Sequence, residues 1–217
     1  MHDSLTIVNT PESTAHAIFE EKRSRFIAQA CHVDDLNDAV EFVAHIREQH
    51  PKARHVAFAA LCLDANDVAA ERLSDDGEPS GTAGKPILEL LRHRSIANCV
   101  VAVTRYFGGI LLGAPGLTRA YAHAAAAALD DAQYGRTLVC ARFTLNIGYP
   151  QLDLCKRAIV LSHGSIVDTQ YSDKVALVAD IPAVNAAAFK TRIVNELSGD
   201  LEINDEGFQR SIVALSR

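Results

Sequence analysis

The sequence predicts an α+β protein of two domains, and three observations carry that expectation. Helix-period and strand-period segments follow one another from Glu21 to Asn204 in a chain of 217 residues. An alanine-rich segment ends near Asp130-Asp131-Ala132, and Gly135 then opens a new pattern, which puts a domain boundary near residues 133–138. Beyond that point the elements run β-α-β-β-α-β, the split-βαβ or ferredoxin-like order. The domains expected are residues 1–135 and 136–217.

Each element follows from its local pattern. Glu21–Val33 alternates around Phe26-Ile27-Ala28 and reads as a strand. Asp35–His50 is an amphipathic helix, with Leu36, Ala39, Val40, Val43 and Ile46 at spacings of three and four and Pro51 as its stop. Val56–Leu63 is almost continuously apolar, as a strand covered on both faces is. Ile87–Arg94 is a short helix with Pro86 in its first turn. Cys99–Phe107 is a strand, and Arg119–Ala132 a helix whose small side chains favour close packing on a sheet. In the second half the pattern gives a strand at Leu138–Tyr149 and a helix at Pro150–His163 with Gly164 at C′. It continues with a hairpin of Ser165–Tyr171 and Lys174–Ile181, a helix at Ala183–Ser198 ended by Gly199, and a last strand at Leu201–Asn204.

Composition narrows the class. Hydrophobic residues make up 48% and charged residues 22%, the balance of a globular chain. Residues 1–135 hold 12 Lys+Arg against 18 Asp+Glu, and residues 136–217 hold 9 against 9, which accounts for the net charge of −6. Neither half is a basic domain, so any nucleic-acid contact is confined to a local patch. The five cysteines are scattered without a Cys-x-x-Cys pair and fit buried free thiols in a reducing compartment. Met1-His2-Asp3-Ser4 opens no signal peptide, and Tyr106–Thr118 is far shorter than the roughly 20 residues of a membrane span. A cytoplasmic protein without membrane contact is expected.

Two glycine-rich segments carry the candidate chemistry. The first, Ser74–Pro86, holds Asp75, Asp76, Glu78 and Lys85 among three glycines and leads into a helix. Such a loop turns either backbone N–H groups toward an anion or carboxylates toward a cation or basic partner. Gly81-x-x-Gly84-Lys85-Pro86 is too short for a P-loop and lacks its Ser/Thr. Lys85 stands at a helix start, against the macrodipole, and calls for a compensating anion. That anion is either Asp75, Asp76 or Glu78, or else a bound phosphate or acidic partner. The second segment, Arg105–Arg119, begins with the one charge in a buried-looking strand. Arg105 shares a face with Val101, Val103 and Phe107, so it is either paired with the acids of the first segment or turned to a ligand. Gly108-Gly109 marks positive φ or close backbone approach. Gly113–Gly116 before a helix is compared with a kinase-type phosphate loop, against which Pro115 removes one donor.

The remaining motifs exclude more than they assign. Eight of nine histidines fall in the first domain without a ligand spacing, no His-Glu-x-x-His and no Gly-x-Ser-x-Gly occurs, and neither a metal nor a cofactor is expected. No catalytic residue is nominated. Lys22-Arg23-Ser24-Arg25-Phe26 forms a small basic cluster with one aromatic, either an RNA-phosphate contact or a solvated strand edge.

Across these residues the chain resembles bacterial members of the IMPACT family. The matching pieces are Lys22-Arg23-Ser24-Arg25-Phe26-Ile27, His50-Pro51-Lys52-Ala53-Arg54-His55, Ser74–Pro86 and Arg105-Tyr106-Phe107-Gly108-Gly109-Ile110-Leu111-Leu112-Gly113, in the family's order and over nearly the whole chain. The resemblance implies an N-terminal domain like the second domain of a small-subunit ribosomal protein. For the C-terminal domain it implies a ferredoxin-like fold similar to one in elongation factor G. Eukaryotic relatives regulate translation by interfering with activation of a kinase that phosphorylates an initiation factor, and they carry an RWD domain that is not read in this sequence. Ala114-Pro115 stands where the family has Thr-Gly. The function expected is translation-associated binding of RNA, ribosome or a translation factor. The contact residues nominated are Arg25, Asp75, Asp76, Glu78, Lys85, Arg105, Tyr106, Gly108, Gly109 and Arg119. The alternative is an enzyme or small-molecule binder that uses Lys85, Arg105 and Arg119 on a phosphorylated ligand.

Overall fold

The computed structural model describes residues 4–64, 67–197 and 202–215, and the chain divides into two compact units, Met1–Gly135 and Arg136–Arg217. The first unit contains β1 (Ser4–Ile7), β2 (Ala15–Glu21), β3 (Ser24–His32), α1 (Leu36–Gln49), β4 (His55–Leu63), β5 (Ala69–Ser74), α2 (Gly84–His93), β6 (Cys99–Tyr106) and α3 (Gly113–Asp131). Its sheet runs β2-β3-β6-β4-β5 with every pairing antiparallel.

Burial on both faces of β4 explains its unbroken apolar run. Val56, Phe58, Ala60 and Cys62 face one core with Ala39, Phe42, Val43 and Ile46 of α1. Ala57, Ala59 and Leu61 face the other, which is closed by Ile87 and Leu91 of α2 and Tyr121, Ala124 and Ala128 of α3. Each large apolar side chain fully buried there contributes on the order of 1.5–3 kcal/mol. Alanines along α3 let that helix lie close to β2 and β3. Helix α1 starts where Asp35 caps it: its carboxylate accepts from Asn37 N–H at 2.6 Å and Asp38 N–H at 3.0 Å.

The second unit contains all of β7 (Tyr134–Ile147) but its first two residues, a 3₁₀ turn at Tyr149–Gln151, α4 (Leu152–Leu161), β8 (Ser165–Tyr171), β9 (Val175–Pro182), α5 (Ala183–Leu197) and β10 (Glu202–Ala214). Strand β9 lies between β7 and β8, and β10 pairs with β7. This is the ferredoxin-like order expected from the sequence. Phe143, Leu145, Ile159, Leu177, Phe189 and Ile193 form its core.

Several elements differ from the expectation. Strands β1, β2 and β5 have no counterpart in the periodic pattern; every residue of β5 before Ser74 is exposed, so no apolar alternation marks it. Helix α3 begins six residues earlier than expected, so Gly113–Thr118 is its opening turn rather than a loop. Strand β7 starts before Leu138 and contains Gly135. At the end of α4 the left-handed position belongs to His163, φ 55°, while Gly164 N–H returns to Ile159 O at 2.9 Å. Strand β10 runs ten residues past Asn204; Gly199 and Leu201 lie outside the described residues. All five cysteines are buried and free, and burial pushes the Cys31 thiol up to about 12. Among the described residues no helix is long and apolar enough to cross a membrane.

Candidate functional site

The two glycine-rich segments meet at a buried ion pair. Arg105 enters from β6, where alternation points it to the α3 side, and its Nη1 donates to Glu78 Oε1 at 2.6 Å. The Tyr121 hydroxyl donates to the same oxygen at 2.9 Å from α3. Burial, then the Glu78 charge, pushes that phenol well above its ordinary range. Ser24 Oγ accepts from Arg105 Nη2 at 3.4 Å and from Gly108 N–H at 3.2 Å. The guanidinium carbon lies 5.5 Å from the Phe26 ring centroid and 5.6 Å from that of Phe107. Of the two readings of Arg105, the paired one is what the structure holds.

The other acids serve the loop itself. Asp75 lies at the start of α2 and accepts from Gly81 N–H at 2.7 Å and from Ala83 and Gly84 N–H at 2.9 Å each. Burial opposes its charge, but these three donors outweigh it and hold the carboxyl below the usual carboxylate range. The anion position that such a loop offers is therefore filled by the chain's own carboxylate. Asp76, at φ 47°, accepts from Val56 N–H at 2.6 Å and pairs with Arg47 of α1.

Lys85 and Arg119 depart from the expected arrangement. Lys85 is exposed and pairs with Glu89 one turn along α2, at 3.8 Å, not with the loop acids. A lysine has the length to leave the positive end of the helix, and a carboxylate four residues on is within reach. Arg119 lines a cleft with Lys22 and Phe19. Arg105, Lys85 and Arg119 are thus held by three different sets of neighbours, so the anion-binding trio expected for a phosphorylated ligand does not assemble.

A different group gathers at the end of the sheet. Arg25 is level with Tyr106 across β3 and β6, on the face opposite Arg105, and the Tyr106 hydroxyl lies 3.0 Å from His50 Nδ1. Burial, then the charges of Arg25 and His16, lowers the pKa of His50. Lys22 and Arg23 form the β2–β3 turn, at φ 46° and 65°, and Lys52 and Arg54 precede β4. Antiparallel pairing brings all three segments to this one end. Gly108 permits it: a Cβ there would stand 2.0 Å from the Arg23 carbonyl carbon. Gly109 takes φ 84°.

Tyr121, Ser24, Arg47 and His50 join this centre without having been singled out as contacts from the sequence. Tyr121 is the one aromatic in the alanine-rich stretch of α3, and that isolation is the signal that finds it. The others contribute through pairing that only the topology sets.

Residues 22–129 match the Impact N-terminal domain, and residues 145–200 match a domain of unknown function, DUF1949. The chain is 34% identical to the IMPACT family member YigZ of Escherichia coli over 89% of this chain and 95% of that protein. It is 37% identical to an IMPACT family member of Haemophilus influenzae over 86% and 91%. A crystal structure described as that of a hypothetical protein superposes with a TM-score of 0.61 at 33% identity, covering 94% of this chain and 97% of that one.

Proposed function

The chain belongs to the IMPACT family, and from that premise we propose that it is a cytoplasmic, translation-associated binding protein whose N-terminal unit contacts RNA of the ribosome. The observation that carries this reading is the cationic end of the sheet. Lys22, Arg23, Arg25, Lys52 and Arg54 are all exposed there, and among the described residues none has an ion-pair partner. Five unpaired cations on a unit of net negative charge form a local patch of the kind that neutralises phosphates. Phe107, which follows β6 at this end, is 47% exposed and offers an aromatic face on which an unstacked base rests.

The buried Arg105–Glu78 pair serves this surface indirectly. It ties the acidic loop to β6, and Gly108 ties β6 to the Lys22-Arg23 turn. No group here is assigned to bond-making, because Arg105 and Tyr121 both donate to Glu78 and all three are closed to solvent, with Arg105 Nε left without a partner. Co-sedimentation of the purified chain with excess ribosomes at low salt tests the proposal. Association that is lost when Lys52 and Arg54 are both replaced by alanine is the expected result. No association at low salt overturns it.

A further inference from the structure

We propose that a cleft of about 190 Å³ between β2 and α3 binds a phosphate monoester carried on a small hydroxylated skeleton. Phe19, Glu21, Lys22, Gly116, Arg119 and His123 line it. It opens on the α3 side of the sheet and shares only Lys22 with the cationic end, so it stands independently of the RNA-facing reading.

Three features define the ligand. Lys22 and Arg119 bring two cations to one small space, and among the described residues neither has an acidic partner. Two cations suit a doubly charged phosphate monoester, and the His123 ring nitrogens add hydrogen-bonding capacity beside them. The Phe19 and His123 rings, with centroids 4.3 Å apart, form a wall for a carbon skeleton. Glu21 is the one carboxylate present; it repels the phosphate from its own end and accepts from a ligand hydroxyl there. The volume is below the roughly 300 Å³ at which pockets for drug-sized ligands begin, which suits a sugar- or polyol-sized phosphate. The floor is fixed: Lys22 sits in a turn whose left-handed φ of 46° is held by the packing of Arg23 against Gly108. Gly116 adds no side chain to close the mouth.

The same phosphate monoester arises on a free metabolite or at a phosphorylated RNA terminus. Calorimetric titration of the full chain with glycerol phosphate, glycerol, inorganic phosphate and a short oligoribonucleotide with or without a terminal phosphate separates these. Glycerol phosphate is expected to bind saturably and glycerol not at all. Arg119→Ala is expected to lose at least about tenfold in affinity, Arg119→Lys to keep most of it, and Lys174→Ala, an exposed residue of the second unit, to leave it unchanged. A thermal melt confirms that each variant is folded. Tighter binding of the phosphorylated oligonucleotide than of its unphosphorylated form, lost in Arg119→Ala, supports the site with RNA termini as its source, and equal binding of the two forms beside saturable glycerol phosphate supports it with a free metabolite. Absence of saturable binding, equal binding by Arg119→Ala, or inorganic phosphate binding as tightly as glycerol phosphate overturns the proposal.

Discussion

Arg105 and Glu78 meet at 2.6 Å with their side chains only 6% and 4% exposed, and the Tyr121 hydroxyl completes the carboxylate oxygen they share. The most chemically suggestive residues of the two glycine-rich segments therefore face inward, toward one another. Removing two charges from water costs several kcal/mol per ion, and only close pairing with extra hydrogen bonds offsets it.

Arg105→Ala is accordingly expected to destabilise the N-terminal unit by about 3–5 kcal/mol, because Glu78 is left charged and buried. Replacing both partners with apolar residues of similar volume is expected to cost less than Arg105→Ala alone. Urea denaturation of the two variants and the parent checks both statements. Near-parental stability of Arg105→Ala contradicts the structural role.

Asp75 makes stability depend on acidity. Its carboxyl is held below the usual range in the folded chain, so the unfolded chain binds protons more readily in that window. Its contribution is fully present above the unfolded value of about 3.9 and is lost as pH falls through the lower folded value. Asp75→Asn keeps one acceptor but turns an NH₂ toward the N–H of Gly81, leaving a donor unmatched at about 1–3 kcal/mol. The variant is expected to lose that much at neutral pH and to converge with the parent in acid. Unfolding midpoints across pH measure the convergence.

The adjacent glycines separate two reasons for glycine. A Cβ on Gly108 would lie 2.0 Å from the Arg23 carbonyl carbon, whereas one on Gly109 meets nothing within 4 Å but needs φ 84°. Gly109→Ala is expected to cost about 1–2 kcal/mol for the left-handed conformation. Gly108→Ala is expected to cost more, since the turn that carries Lys22 and Arg23 must shift. Paired chemical denaturation curves rank the two.

What was legible in the sequence follows from how local the physics is. The helix at Asp35–His50 and the apolar strand at Val56–Leu63 carry their period in consecutive residues, and α1 and β4 stand there. The order of the second half was readable for the same reason, and β7 to β10 follow it. The match of Arg105 with an acid of the first segment was also foreseeable, because a buried guanidinium requires a partner. Which acid it takes was not, since Glu78, Asp75 and Asp76 differ only in where the loop turns. Lys85 illustrates the limit: its helix position was right, but the length of its side chain let it reach Glu89 instead. Pairing of Arg25 with Tyr106, 81 residues apart in sequence, belongs to sheet register and leaves no local trace.

His50 reports on that register. Burial, then the charges of Arg25 and His16, disfavours its protonated form, so its pKa lies below the ordinary value. The stability penalty is absent above the unfolded value of about 6.5 and grows as pH falls from there through the lowered folded value. Arg25→Ala is expected to raise the His50 pKa toward the ordinary value and to weaken the loss of stability in mild acid. Titration of the His50 ring proton by NMR reads the shift directly. An unchanged value places Arg25 away from His50.

The cationic end makes a quantitative statement about salt. If Lys22, Arg23, Arg25, Lys52 and Arg54 each neutralise one phosphate of single-stranded RNA, affinity falls with salt at a log–log slope of about −3.5, from roughly −0.7 per contact. Each alanine replacement in this set is then expected to flatten the slope by about 0.7 and to weaken binding almost uniformly across RNA sequences. Lys85→Ala is the control, because Lys85 pairs with Glu89 and lies outside the set. Fluorescence anisotropy of a labelled single-stranded RNA over a range of potassium chloride gives the slopes. A slope near zero, or one flattened as much by Lys85→Ala as by Arg54→Ala, removes this surface from the function; graded flattening confined to the five cations assigns it.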